Sequence, residues 1–413
     1  MSAPVRRISK GTALSIYDLP PSLFALAAAA IGLSLLLFPP MRRRKQPRKH
    51  VVNSRSEAVT LPKIEHDDPD LRERNTITRH IAELMLQDEW TAIADQIADW
   101  EDQLVQTPGG QRFHDIAADV ALSGLQELID SCPHDSFDDM AEVETELSHF
   151  YATHRSMPDN HVLAVLAAHA QIIVGNAYRA EFWPEGERRE AYRRMARHYL
   201  AAGEILESFE PLAYMSPLLA EAQYLQALGS PGGIHRLPEL FEAWIELDPA
   251  NPAVYAAHAN YLSDAEMTSD EDILRESDAA MVRTEETLGF GGYALFFLPL
   301  LSRRENARHL MDAELFATAL LDLATQSATP ADANWAASAL AVELDMLDND
   351  DADTRMVLRD TLLLLIRQTL TVVYPRMWAI QEEAVRALLQ EAAEALPDLE
   401  PELHKQMELP QAA

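Results

Sequence analysis

Apolar residues recur every three or four positions along most of the chain, which is the spacing of one face of an α-helix. Leu71, Ile77, Ile81, Leu84 and Met85 begin this pattern. Strand signals are very few. The pattern predicts an all-α fold, with helices over about 136–155, 159–182, 185–209, 216–229, 234–247, 252–263, 270–288, 304–327, 331–347, 352–374 and 376–396, after several earlier ones between 68 and 132.

Short breakers separate these helices, among them Pro108-Gly109-Gly110, Pro231-Gly232-Gly233 and Tyr374-Pro375. So many helices joined by short turns favour a stack of helical hairpins, a solenoid, over a single globular core. Two segments are more apolar than the rest, Tyr293–Leu301 and Leu362–Ile366, and both are too short to span a membrane. We expect buried helices there; the alternative is an exposed apolar surface that binds a partner or the bilayer.

Ser22–Phe38 is a run of seventeen residues without a charge, bounded by Pro20-Pro21 and Pro39-Pro40. At about 1.5 Å per residue it forms roughly 26 Å of helix, near the lower limit for a bilayer core. A cleavable signal peptide would have a shorter apolar core and a small-residue cleavage site. A buried core helix is the other alternative. We interpret the run as a transmembrane anchor, in which residues 22–38 contact the membrane.

Basic residues are denser after the run than before it. Three precede it, and six follow in what we call the basic collar: Arg42, Arg43, Arg44, Lys45, Arg48 and Lys49. The positive-inside rule then places the body in the cytoplasm, and the collar against anionic lipid head groups. The reverse topology, with a periplasm-facing body that acts like a chaperone, stays open.

These features divide the chain into five segments. We predict a short N-terminal segment (1–20), the transmembrane anchor (21–40), a basic juxtamembrane linker (41–65), an acidic helical-repeat domain (66–404) and a tail (405–413).

The net charge is −32, and residues 1–50 alone carry +8, so the rest of the chain carries −40. A body this acidic repels phosphates, which argues against nucleic-acid binding. No lysine occurs between Lys63 and Lys405, and this bias, with abundant alanine, points to a GC-rich bacterial genome and so to a bacterial inner membrane. The single cysteine, Cys132, excludes an internal disulfide.

Leu237–Leu262 reads LPELFEAWIELDPANPAVYAAHANYL. This stretch resembles the junction between two tetratricopeptide repeats, in which a helix ends in a Leu-Asp-Pro-x-Asn turn and the next helix follows. Phe241, Leu247, Pro249 and Ala259 match the family pattern, and Tyr255 stands where that family usually has Trp. Trp244 and His258 depart from the pattern.

The resemblance implies a superhelix whose inner groove binds a peptide or a helix of another protein. It also implies that Ala256, Asn260 and Ser263 face that groove, with Tyr255 beside them. An acidic groove would favour basic or apolar partner segments. We therefore expect a membrane-anchored protein-interaction scaffold or assembly factor.

Cys132, His134, His149 and His154 form the best candidate for a metal site, and a metal-dependent enzyme is the alternative function. Their spacing matches no closed zinc site, and a buried Cys with surface histidines is the simpler interpretation. No P-loop, GxSxG or HExxH motif occurs. We predict no catalytic residue, no metal, no cofactor and no small-molecule substrate.

Overall fold

The computed structural model describes residues 61–264, 268–304, 306–326, 329–347 and 351–394. Within these ranges the fold is all-α, with seventeen α-helices and a single pair of two-residue strands. The helices are α1 Pro69–Leu86, α2 Trp90–Asp102, α3 Phe113–Asp130, α4 Ala141–Ser156, α5 His161–Ala177, α6 Arg188–Leu206, α7 Pro211–Tyr214, α8 Pro217–Gly229, α9 Leu237–Leu247, α10 Pro252–Asp264, α11 Asp270–Leu288, α12 Gly291–Arg303, α13 Ala307–Leu310, α14 Ala313–Gln326, α15 Pro330–Met346, α16 Ala352–Gln368 and α17 Glu382–Glu394.

Proline marks the start of several of these helices. α1, α8 and α15 begin with proline, whose missing N–H costs nothing in the first helical turn. Their preceding residues Asp68, Ser216 and Thr329 each accept a hydrogen bond from a backbone N–H of the first turn. Local sequence therefore sets where these helices begin.

Alternate helices pack on one another, as in a helical-repeat protein. In the first half α1 packs on α3, α3 on α5 and α5 on α8; in the second half α10 packs on α12, α12 on α14 and α14 on α16. The intervening helices complete hairpins, such as α4 with α5 and α11 with α12. The helical-repeat prediction is confirmed at this level of description.

Two hydrophobic cores run through the described chain and meet at α8. The N-terminal core extends from Ile77 to Ala222, and the C-terminal core from Ala220 to Ala392. One face of α8 gives Leu218 and Leu219 to the first core, while another gives Tyr224 and Ala227 to the second.

Tyr293–Leu301 is buried, as expected, and forms most of α12. Glycine at position 292 allows α12 to approach α11 closely. A Cβ there would clash, because it would lie 2.4 Å from the carbonyl oxygen of Ala280. Leu362, Leu363, Leu365 and Ile366 are likewise buried in α16.

The helix predicted over 352–374 ends earlier, at Gln368. Val372–Val373 instead forms strand β2, which pairs in parallel with strand β1, Lys63–Ile64, at the end of the predicted linker. Two β-branched residues before Tyr374-Pro375 favour extended backbone. The helix predicted over 304–327 is also divided, at Met311 and Asp312, into α13 and α14.

Within the described ranges no helix combines the length and the apolar character needed to cross a bilayer. The predicted anchor at 21–40, the basic collar and the tail at 405–413 all lie outside those ranges.

Candidate functional site

The positions expected to face a groove lie mostly inside the protein. Tyr255 and Ala256 are fully buried and Asn260 is 1% exposed, whereas Ser263 is partly exposed. The hydroxyl of Tyr255 donates to the backbone oxygen of Pro249 at 2.9 Å, so this ring supports the turn between α9 and α10. The contact of these four residues with a partner stays a prediction. Only Ser263 among them is accessible to solvent.

The cysteine and histidines of the alternative metal site have other neighbours. Cys132 Sγ lies 3.6 Å from Met140 Sδ, and His134 Nδ1 lies 2.7 Å from the backbone oxygen of Cys132. His149 Nδ1 is 3.4 Å from Glu146 Oε2. Burial lowers the pKa of His154. Among the described residues, no three side chains of His, Cys, Asp or Glu are grouped so that they could hold a metal ion.

Four carboxylates from three helices are instead near enough to affect one another's pKa, and we call them the carboxylate cluster. Asp115 and Asp119 lie one turn apart on α3, Glu101 lies near the end of α2, and Glu221 lies on α8. Because α3 and α8 both pack on α5, the fold brings these residues together from over a hundred positions apart.

Glu101 is the buried member, with a side chain 2% exposed. Its Oε1 accepts hydrogen bonds from the hydroxyl of Ser216 at 2.6 Å and from the backbone N–H of Leu218 at 3.0 Å. The Ser216 hydroxyl also accepts from Leu219 N–H at 3.1 Å and so caps α8. Glu101 Oε2 has no hydrogen-bond donor, and the nearest cation-forming group is His161 Nε2 at 3.7 Å. One oxygen of this carboxylate thus accepts two hydrogen bonds, and the other accepts none.

The other three carboxylates are hard to ionise. Burial among protein atoms and then the charge of Asp115 raise the pKa of Asp119 to about 7. Burial, followed by Asp115, Asp119 and Glu101, raises the pKa of Glu221 well above its usual range. Burial is also the main reason that the pKa of Asp115 is raised, with Asp248 and Glu101 contributing. Each of these three carboxylates therefore keeps its proton to a higher pH than an isolated Asp or Glu does.

Three of these side chains are nevertheless open to solvent. Asp119 is exposed, Glu221 is partly exposed, and the side chain of Asp115 is 23% exposed. An acid that water can reach, and whose pKa burial still raises, has many protein atoms near it that replace part of the surrounding water. His169 on α5 has the same character: it is partly exposed, and burial lowers its pKa to about 4.

A buried imidazole, that of His114, lies next to the cluster and makes no hydrogen bond. His114 is 0% exposed, and neither of its ring nitrogens has a hydrogen-bond partner. Its Nε2 lies 3.3 Å from Asp115 Oδ1, outside hydrogen-bonding geometry. An unmatched buried polar group costs about 1–3 kcal/mol, so the site is built at the expense of stability. Such a cost is typical of positions that serve binding or catalysis.

Beside the cluster lies an ion pair that is fully matched. Arg112 Nη2 is 2.6 Å from Asp248 Oδ1 and Arg112 Nε is 2.8 Å from Asp248 Oδ2. Arg112 also donates to the backbone oxygen of Leu104 and to Gln106 Oε1. Asp248 is the first residue of the turn between α9 and α10, so this pair joins the start of α3 to the C-terminal core.

The sequence did not identify the carboxylate cluster. The only local signal is Asp115 and Asp119 at a four-residue spacing, which is equally typical of an ordinary solvated helix face. Glu101 and Glu221 could join them only through long-range packing, and the unmatched state of His114 depends on its neighbours in space.

No family model matches the chain, and searches of the curated proteins and of the solved structures also gave no match. A function is therefore inferred from the chemistry of the chain's own residues.

Proposed function

We propose that this protein is a membrane-anchored scaffold or assembly factor, similar to tetratricopeptide-repeat proteins, that binds a basic segment of another protein at the carboxylate cluster. The observation that carries the proposal is that the buried side chains of Glu101 and His114 have polar atoms without hydrogen-bond partners, next to the solvent-accessible carboxylates Asp115, Asp119 and Glu221, whose pKa values are raised. A guanidinium or ammonium group placed among them would remove the mutual repulsion and favour their ionised forms.

The charge of the rest of the chain supports a cationic partner. With a net charge of −32, the protein attracts basic segments over long distances and repels acidic ones. The predicted anchor would hold such a partner at the membrane surface, where a tether raises its effective concentration.

The binding half of the proposal is tested with the full-length protein in nanodiscs and fluorescent peptides. One peptide carries two arginines, and its match carries two glutamates. We expect the arginine peptide to bind and the glutamate peptide not to bind. The double variant Asp119→Asn, Glu221→Gln should lose at least about tenfold in affinity, which corresponds to about 1.4 kcal/mol.

The matched control is Glu127→Gln on α3. Glu127 is exposed on the same helix, and its substitution changes the net charge without touching the cluster. If Glu127→Gln weakens binding as much per charge as the cluster substitutions do, then only the overall charge attracts the peptide and the proposed site is wrong.

The membrane half of the proposal has a separate test. Full-length protein should stay with the membrane fraction after washing with alkali, and a topology reporter fused after Ala413 should report the cytoplasm. Release by alkali would contradict the anchor, and a periplasmic reporter signal would support the alternative orientation.

A further inference from the structure

Three exposed apolar side chains lie in the segment just before Ser216, close to Glu101 of the carboxylate cluster. They are Leu212, Tyr214 and Met215, with 39%, 40% and 61% of their surface exposed, and we call them the apolar lip. They belong to the short segment that begins with α7 and ends at Ser216, the residue whose hydroxyl donates to Glu101. Met215, the last residue of the lip, is therefore the sequence neighbour of Ser216, which hydrogen-bonds to Glu101 of the cluster.

Ring contacts also connect the lip to the cluster. The Tyr214 ring lies 4.9 Å from the ring of His161, whose Nε2 is 3.7 Å from the unmatched Oε2 of Glu101. The Phe209 ring, at 5.5 Å, supports Tyr214 from another side. Tyr214 is therefore held in place beside the acids although two-fifths of its surface is exposed to solvent.

Met215 has a backbone conformation that side chains rarely adopt. Its φ is 51° in the left-handed region, where Gly or Asn is the usual residue. The chain thus places a long apolar side chain, 61% exposed, where a small or polar one would be easier to accommodate. Met215 therefore extends the exposed apolar surface formed by Leu212 and Tyr214.

From these observations, and resting on the proposed function, we propose that the bound segment carries a bulky apolar side chain close to its arginine or lysine, with the cation among the carboxylates and the apolar group on the lip formed by Leu212, Tyr214 and Met215. Charge decides between this occupant and a lipid surface. An apolar patch close to acidic side chains, on a protein whose net charge is −32, repels anionic head groups, and it complements a segment that is both basic and apolar.

The test is a double-mutant cycle between peptide and protein, again with the full-length chain in nanodiscs. The first peptide contains arginine and phenylalanine a few residues apart, and the second has alanine in place of phenylalanine. Against the wild-type protein we expect the alanine peptide to bind about tenfold more weakly, since a buried aromatic ring contributes strongly to binding.

Against the lip variant Leu212→Ser, Met215→Asn the two peptides should bind alike. Asparagine is chosen because it tolerates the left-handed backbone at position 215. Leu200→Ser, which removes an exposed leucine (54%) from α6, is the matched control and should keep the tenfold difference. The peptide comparison on the wild-type protein needs no variant, so the inference stays testable even if the lip variant folds poorly.

The outcomes separate the two proposals. If wild-type protein binds both peptides equally, while Asp119→Asn, Glu221→Gln weakens both, the lip inference is wrong and the proposed function stands. If the cluster substitutions change nothing, the proposed function is wrong as well.

Two other occupants of the lip are distinguished in the same assay. If replacing the six basic residues of the collar by glutamine strengthens peptide binding about tenfold, the chain's own collar occupies the surface and the inference of an external partner is overturned. If wild-type protein discriminates between the peptides in detergent micelles but not in nanodiscs, the lip rests on the bilayer, which also overturns it.

Discussion

Two buried polar centres, one in each core, differ in how completely they are satisfied. In the C-terminal core Asn334 is 0% exposed, and its Nδ2 donates to the backbone oxygens of Pro330 and Val372 at 2.7 and 2.8 Å. Its Oδ1 accepts from Tyr374 N–H and from the indole N–H of Trp378, both at 2.9 Å. Every hydrogen-bonding position of this amide is occupied.

In the N-terminal core the opposite holds. His114 has no hydrogen bond, Glu101 has one unmatched oxygen, and three neighbouring carboxylates have raised pKa values. A fully matched polar group fixes a fold, as Asn334 fixes β2 and the turn after it. A group that is buried but unmatched does not stabilise the fold, and this difference is why we place function at the carboxylate cluster.

The largest effect is expected at the matched ion pair next to the cluster. Arg112→Leu leaves Asp248, which is 0% exposed, without its counter-charge, and should lower the free energy of unfolding by about 3–5 kcal/mol in urea titrations. The double variant Arg112→Met, Asp248→Leu should recover most of this loss. A loss under 1 kcal/mol for Arg112→Leu would show that the pair does not join the two cores.

The next largest effect is expected at Asn334. Asn334→Leu leaves the carbonyl of Val372, the N–H of Tyr374 and the indole of Trp378 without partners, and should cost about 3 kcal/mol. Trp378 fluorescence should also shift towards that of a hydrated indole. An unchanged free energy of unfolding would mean that water or a rearranged turn replaces the amide, and the contrast between the two centres would weaken.

His114 should respond in the opposite direction. His114→Leu removes an imidazole that has no hydrogen bond and fills the same buried space with an apolar group, so we expect a gain of about 1 kcal/mol. Urea titration of the variant beside Asn334→Leu provides the direct contrast. Destabilisation by more than about 1 kcal/mol would show that His114 is satisfied, and would remove one reason for placing a site there.

The smallest effect is a pH dependence. The pKa of Asp119 is about 7 in the folded protein and near 3.8 when unfolded, so the folded state binds more protons between these values. Its contribution to stability is complete below about pH 4 and is lost as the pH rises through 7. Asp119→Asn should therefore raise the melting temperature by a few degrees at pH 8 and not at pH 4. An equal change at both pH values would contradict the raised pKa.

Local signals were sufficient to predict much of the fold. Proline at the first helical position and the three-to-four-residue apolar spacing identified most helices, and the apolar run of α12 was correctly expected to be buried. The strand Val372–Val373 was missed because its partner Lys63–Ile64 lies about three hundred residues away in the sequence. The side chain of Asn334, which hydrogen-bonds to the backbone of Val372 and Tyr374, is also distant in sequence. The carboxylate cluster was missed for the same reason, since three separate helices supply its members.

The measurement that tests the central claim most directly is calorimetry of the arginine–phenylalanine peptide at pH 7, in two buffers with different ionisation enthalpies. The charges of Asp115, Glu221 and Arg74 act on Asp119, and those of Glu101, His114, Arg112 and Asp248 act on Asp115. A cation bound there lowers the raised pKa values, so wild-type protein should release protons on binding, and Asp119→Asn, Glu221→Gln should release far fewer. Binding with identical heats in both buffers and equal affinity in the double variant would contradict the account.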